Sequence, residues 1–325
     1  MMEGFWIDAL SVLSATMRVS TPLIFAAMAG VFSERAGVVD ISLEGKLLAG
    51  AFASASVAAV TGSAWLGLGA AILTGLFLSL IHGFATITHR GDQVVSGVAI
   101  NIMVSGLTVV LGMAWFHQSG QTPNLPNSAR FMPIELPGAE TIGKIPYLGD
   151  IYTRLLSGHD LLVYAAFLSV AVTWWVLFKT RFGLRLRAVG ENPQAVDTAG
   201  ISVSWLRYRA VLIAGILTGI GGTYMAIAQN ASFIRDMSAG QGYIALAAMI
   251  FGKWKPVPAM FAALMFGFLD ALSIRLQGVE ITGLGQIPVQ AITVLPYILT
   301  VIILATFAGR AVAPKADGIP YVKER

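Results

Sequence analysis

There is no cysteine anywhere in the 325 residues, which excludes a disulfide framework and any thiolate metal site or nucleophile. Charge is scarce as well. Only 12% of the residues are Asp, Glu, Lys or Arg, about half of what a soluble domain carries. Histidine is confined to His82, His89, His117 and His159, and no two stand four apart, so no helix face offers a local metal pair. The three Gly-Lys steps, Gly45–Lys46, Gly143–Lys144 and Gly252–Lys253, are followed by Leu47, Ile145 and Trp254. A phosphate-cradling G-x-x-x-x-G-K-[ST] loop needs Ser or Thr there. No Ser, His and carboxylate set stands at a diagnostic spacing for nucleophilic catalysis. Nothing supports an enzyme, and the net charge of +4 calls for no nucleic acid.

What the chain has instead is long apolar segments. A crossing needs about 20 such residues for a hydrocarbon core of roughly 30 Å, and the pattern predicts an all-α polytopic membrane protein forming one transmembrane domain over residues 1–325. The clear segments are Ile41–Thr61, Trp65–Thr88, Gln93–Phe116, Asp160–Phe178, Arg209–Gln229, Pro256–Leu276 and Ile287–Ala308. Phe5–Met17 is too short to span and runs into Arg18. It is expected as an interfacial helix with Trp6 at headgroup level, ahead of a first crossing over Val19–Ser33. Glu3 and Asp8 stand where a cleaved signal peptide would be basic. Gly240–Lys253 is apolar but measures only about 21 Å as a helix.

Orientation follows from the loops. Lys179–Arg209 holds six basic residues (Lys179, Arg181, Arg185, Arg187, Arg207, Arg209) against Glu191 and Asp197, and short loops with that excess stay cytoplasmic. Phe116–Asp160 then lies outside. It carries Arg130, Lys144 and Arg154 against Glu135, Glu140, Asp150 and Asp160, and its five prolines (Pro123, Pro126, Pro133, Pro137, Pro146) disfavour long helices. The tail, with Arg310, Lys315, Lys323 and Arg325, is expected inside. That parity makes Gly240–Lys253 cross and gives about nine crossings, within a range of eight to ten, with the N-terminus outside.

Inside the basic loop, Asn192 suits an N-cap, Pro193 the first helical position and Gly200 a C-terminal cap. A short capped helix of about 10 Å is either a docking element for a cytoplasmic partner or an ordinary solvated connection. Polar residues in the apolar segments leave similar choices. Asn101 either lines a path or ties two helices, and Asp270 needs protein or water beside it. Asp40 and Glu44, four apart, would repel on one helix face, so either the helix starts after Asp40 or Arg35 or Lys46 pairs with one of them. Asn230, Arg235, Asp236 and Gln241 cluster before the short segment, where they meet either a solute or a docking protein. Asp40–Ala51 echoes Asp236–Ala247 at Asp, Ser and two Ala positions, which suggests an inverted repeat whose breaks point to a solute path. Gly215-x-x-x-Gly219, followed by Gly221 and Gly222, makes a face for close helix approach. Trp174, Trp175 and Trp254 read as interface anchors.

RLRAVGENPQAVDTAGI (185–201) resembles the coupling segment of permeases in the ATP-binding-cassette (ABC) importers for nucleosides, simple sugars and related solutes. TPLIFAAMAGVFSERAGVVDISLEGKLLAGAF (Thr21–Phe52), GDQVVSGVAIN (Gly91–Asn101) and GQGYIALAAMIFGKWKP (Gly240–Pro256) are similar to the same family in the same order. The nearest likeness is to the smaller of two permeases in nucleoside-type importers. The resemblance implies a type II importer-like permease, multi-pass in a bacterial inner (plasma) membrane, with its C-terminus cytoplasmic. It implies a cytoplasmic ABC ATPase, a second permease subunit forming a heterodimer, an extracytoplasmic solute-binding protein and membrane lipid as partners. ATP-Mg is expected on the ATPase and no cofactor or metal on this chain. Gly190, Glu191, Asn192, Pro193, Gln194 and Asp197 would contact the ATPase; Asp40, Ser42, Glu44, Asn101, Gln241 and Tyr243 are the solute-path candidates. A nucleoside is the expected solute, with ribose, another simple sugar or a flavin as alternatives. The rival classes are a stand-alone secondary transporter, for which Asp270 is nearly the only coupling group, and a structural membrane subunit without a path.

Overall fold

The first helix overturns the expected division of the N-terminus. In the computed structural model, which describes residues 2–138, 143, 145, 147–276, 280–281, 285–286, 294, 298 and 312–323, α1 runs unbroken over Met2–Arg35, or about 51 Å. The interfacial helix expected over Phe5–Met17 and the crossing over Val19–Ser33 are one rod. Arg18 does not end it because its side chain stays on the exposed face, so the helix passes the charge without burying it. Pro22 lies inside the helix, and Thr21 donates back to the Met17 carbonyl at 2.8 Å beside it.

Among the described residues the other α-helices are α2 (Leu43–Thr61), α3 (Ala64–Gly83), α4 (Gln93–Phe116), the single turn α5 (Leu148–Ile151), α6 (Leu161–Lys179), α7 (Arg181–Glu191), α8 (Pro193–Thr198), α9 (Val203–Thr223), α10 (Gln241–Phe251) and α11 (Pro256–Leu276). π-turns extend α3 to Thr88, α5 to Leu156 and α9 to Gln229. A two-residue pairing joins β1 (Glu280–Ile281) and β2 (Gly285–Gln286). Caps set several starts: Asp92 accepts from the Val95 amide, Asp160 from Leu162 and Val163, and Ser202 from Trp205. Among the described residues seven helices are long and apolar enough to cross a membrane, slightly fewer than the nine expected. Of the other two, Ile287–Ala308 lies outside the described residues apart from 294 and 298. Gly240–Lys253 forms only the 11-residue α10, about 16 Å long, folded back on α11 through the turn at residues 252–255. It does not cross as a full-length helix.

The helices interlock as two sets of three. α1 packs along α11, and α9 along α3. α1 also packs on α10, α9 on α2, and α1 and α9 on each other. Exchanging α1–α2–α3 with α9–α10–α11 maps this set of pairings onto itself, which is the relation that the Asp40–Ala51 and Asp236–Ala247 echo suggests. Glycine makes the closest approaches possible: a Cβ on Gly75 would overlap the Gly215 carbonyl, and one on Gly222 the Leu47 carbonyl. The outer faces carry Leu73, Phe77, Ile102, Val110, Leu168 and Phe261, an exposed apolar surface suited to lipid or another membrane subunit. Between α4 and α6 the chain is pinned to the approach of α10, with Thr122 and Phe233 bonded both ways and Leu125 bonded to Ala231.

Candidate functional site

Between α1 and α2, residues 36–42 carry no regular helix, yet Val38, Asp40 and Ser42 are fully buried. Asp40 organises this stretch. One carboxylate oxygen accepts from the Ser42 amide at 3.2 Å and from the Ser42 hydroxyl. The other pairs with Lys46 Nζ at 2.5 Å, with both side chains 0% exposed. His82 lies 3.9 Å away and bonds Val39 and Ser96. Asp40 and Ser42, expected on the solute path, thus face inward in this conformation and line no open surface. Because α2 begins only at Leu43, the feared repulsion between Asp40 and Glu44 does not arise.

One turn on, Glu44 points elsewhere. Its Oε1 accepts from the Ser238 hydroxyl at 2.6 Å and the Gly240 amide at 2.9 Å, and its Oε2 from the Gly242 amide at 2.6 Å. These donors form the N-terminus of α10, where a carboxylate satisfies orphan amides and complements the helix dipole. Asn101, on α4, serves α2 in the same way: its Oδ1 accepts from Gly45 at 2.8 Å. Its Nδ2 donates to the Ile41 carbonyl at 3.0 Å and the Tyr243 hydroxyl at 2.9 Å. Two helix starts therefore meet head to head, each capped from another helix. Gly242 has no room for a side chain because the Glu44 backbone fills the space. Of the expected path residues, Glu44, Asn101, Gln241 and Tyr243 come together here. Tyr243 is 47% exposed, and Gln241 keeps a buried Oε1 with no donor among the described residues.

Sequence reading missed part of this junction. Ser105, one turn beyond Asn101, donates to Asp236 at 2.8 Å; the Asn-x-x-x-Ser spacing on one helix face was the available signal. Ser238 and Gly240 act through a cap supplied from another helix, for which local sequence has no signal. Asp236, Ala239 and Gly240 all have positive φ (52°, 45° and 83°), which turns the chain sharply into α10. Asp270 is exposed, and Arg275 pairs with Asp8 of α1 rather than with it. Trp254, expected as an interface anchor, is buried and donates to Glu34 at 2.6 Å; its indole nitrogen needs a partner once covered.

The basic loop contains two helices where one was expected. Thr180 caps α7 by accepting from Gly183 at 3.1 Å. Asn192 caps α8 by accepting from Ala195 at 3.1 Å. Gly200, at φ 78°, closes α8 with Gly200 N–H to Asp197 O (2.9 Å) and Ile201 N–H to Val196 O (3.2 Å), both bonds of a Schellman motif. Glu191, Asn192 and Gln194 are exposed, and Pro193 and Asp197 half-buried. Gly190 is buried, with Arg35 O where a side chain would go, so its part is to let α7 close on α1. A cleft of about 310 Å³ separates Glu191–Gln194 from Lys315, Ala316 and Ile319–Val322. Lys179, Arg187 and Arg209 stack over Trp174, Phe178 and Trp205 at 4.8–5.6 Å, within cation–π range. Among the described residues no group of His, Asp and Glu could hold a metal ion.

In the C-terminal segment, burial pushes the Asp317 carboxyl up to about 7, with Glu34 and Arg207 the ionisable groups facing it. An acid raised in the docked state favours docking while protonated. That contribution declines as pH rises from about 4, the free value, and is gone above about 7. A fluorophore on Val322→Cys, in a chain otherwise free of thiols, is expected to report a tail more firmly held at pH 5 than at pH 7.5, where the hydrogen bonds of Ala316 and Ile319 still keep it docked. With Asp317→Asn added, the pH dependence should shrink, and what remains belongs to Glu34.

Residues 12–307 match the family model described as branched-chain amino acid transport system / permease component. The chain is 42% identical over 326 residues to the nucleoside ABC transporter permease protein NupC of Lactococcus lactis subsp. cremoris, covering 98% of this chain and 99% of that one. It is 43% identical over 321 residues to the guanosine ABC transporter permease protein NupQ of Bacillus subtilis, covering 96% of each.

Proposed function

Because the chain belongs to the family of branched-chain amino acid transport system / permease components, we propose that it is the permease subunit of an ATP-driven nucleoside importer in a bacterial inner membrane. Near-full-length identity to nucleoside and guanosine permeases supports the solute class. For the path, the observation that carries the reading is the junction at Glu44. There Asn101, Tyr243, Gln241 and Asp236 gather polar groups between otherwise apolar helices, as at transporter sites built on broken helices. Tyr243 offers an exposed ring for a base to stack on. Asp236 and Ser105 offer an acceptor and a hydroxyl for sugar hydroxyls.

In this reading the basic loop and the tail are cytoplasmic, and residues 117–160 face outward toward a solute-binding protein. A partner ABC ATPase, carrying ATP-Mg, docks on α8 through Glu191, Asn192, Pro193, Gln194 and Asp197. A second permease subunit covers part of the exposed apolar surface and completes the path. Displacement of α8 rocks α1 and α9, which flank the Glu44 junction, and so alternates access to it.

Uptake of radiolabelled uridine and guanosine tests this in cells carrying wild type, a deletion, or Glu191→Ala with Asn192→Ala. The paired substitution removes a cap worth about 1 kcal/mol to the short helix and is expected to reduce ATP-dependent uptake at least about tenfold at unchanged membrane level. Full uptake in the deletion would rule out the nucleoside assignment, and uptake insensitive to ATP depletion would rule out the importer.

A further inference from the structure

Residues 312–323 form no helix of their own, yet they join three elements distant in sequence. The Ala316 amide donates to the Gly190 carbonyl, at the end of α7, at 2.8 Å. Arg207, in the second turn of α9 and 1% exposed, spreads its guanidinium across the same place. Nε donates to Ala36 O at 3.1 Å, Nη1 to Ile319 O at 3.0 Å and Nη2 to Ala316 O at 3.5 Å. A planar fork of donors can be buried at such a point because carbonyls from two separate segments meet it. Gly37, at φ 79°, completes the contact: a Cβ there would stand 2.8 Å from Ala316 O and 2.9 Å from Arg207 Nη2. Further along, Tyr321 packs on a cluster of Val189, Val196, Val203 and Leu206. Lys323 Nζ lies 3.5 Å from Asp197 Oδ1 on α8.

The elements joined in this way are not arbitrary. α8 is the helix assigned above to the ATPase. Ala36 and Gly37 follow the end of α1, which packs on α10, and Arg207 stands near the start of α9, which packs on α2; α2 and α10 are the helices whose starts meet at Glu44. Val196 is the buried residue through which α8 itself reaches the body. α8 has six residues and, among the described helices, packs mainly on α7 and the start of α9, a short seat for a helix that is to carry load. The tail adds a charged contact at the far end of α8, an apolar one in the middle and a hydrogen-bonded knot at α1 and α9.

We propose that the C-terminal segment is a tie that makes α8, the end of α1 and the start of α9 move as one body, so that displacement of α8 by a docked ATPase is delivered to the helices around the Glu44 junction. The proposal rests on the reading of α8 as the docking helix. Arg207 and Tyr321 are positioning residues in it and touch no solute.

The test uses the assembled transporter in proteoliposomes and reads three quantities: ATPase subunit recovered with the permease, ATP hydrolysis, and uridine imported per ATP. Tyr321→Ala with Lys323→Ala loosens the tie. It is expected to leave ATPase recovery unchanged while uridine per ATP falls about threefold or more. Thr198→Cys with Lys323→Cys, joined by a short thiol cross-linker, locks the tail to the end of α8 outside the docking residues and is expected to preserve import, because the two already move together. An unchanged ratio in the loosened variant, or import stopped by the lock, would overturn the tie. Failure of the docking reading shows separately, as full ATPase recovery and full import in Glu191→Ala with Asn192→Ala.

Discussion

Replacing Lys46 by methionine is expected to destabilise the folded protein by about 3–5 kcal/mol. The ammonium and the Asp40 carboxylate are both 0% exposed and 2.5 Å apart, so removing one leaves the other as a buried charge with no counter-ion. The remaining partners of Asp40 are Ser42, which donates through its amide and hydroxyl, and His82 at 3.9 Å. These satisfy lone pairs but do not restore the missing positive charge. Adding Asp40→Asn to Lys46→Met removes the orphaned charge and is expected to recover most of the loss, since a buried ion pair replaced as a whole is often close to neutral. Thermal unfolding in nanodiscs of fixed lipid composition checks both. A single variant as stable as wild type would show that the pair is exposed in the assembled protein.

Glu44→Ala is expected to reduce transport at least about 100-fold, equivalent to about 2.7 kcal/mol on the limiting step. The substitution strips the acceptor from the Ser238 hydroxyl and the Gly240 and Gly242 amides. Each orphaned donor costs about 1–3 kcal/mol if it stays buried, so the start of α10 should fray or move rather than hold its position. Glu44→Gln separates charge from shape. Its oxygen keeps one set of partners, while its amide group opposes the amide of Gly242 or Gly240, and an intermediate loss is expected. Initial uptake rates normalised to membrane level provide the check. Half of wild-type transport in Glu44→Ala would mean that the junction is held by packing alone.

Both residues lie in a run that the sequence singles out, but for reasons that sequence only partly exposes. The four-residue spacing of Asp40 and Glu44 predicts that one of them needs a partner or a helix break, and the structure contains both: Lys46 pairs with Asp40, and α2 starts after it. Two apolar runs were legible to the residue, Gln93–Phe116 after its cap Asp92 and Pro256–Leu276 with proline at its first position. Charge within a run misled the reading in two ways. Arg18 marks the end of an apolar stretch in the sequence, yet it sits on an exposed face of a helix that continues. The basic pair Arg207 and Arg209 puts the start of the apolar run at Arg209, yet α9 starts six residues earlier at Val203, capped by Ser202, and carbonyls from distant segments make Arg207 a core residue. Trp254 failed for the same reason, since Glu34 accepts its indole from more than 200 residues away. Local patterns carry caps, turns and periodicity. They do not carry a partner brought in from another helix, and the Glu44 junction and the tail are both built from such partners.

The most direct test of the account is the reactivity of a single cysteine at Tyr243, placed in a chain that has none of its own. In the assembled transporter, labelling of Tyr243→Cys by a membrane-impermeant thiol reagent from one side should differ at least about tenfold between the nucleotide-free and ATP-trapped states, and uridine should slow it. Equal rates in the two states, with no effect of uridine, would contradict alternating access at this junction.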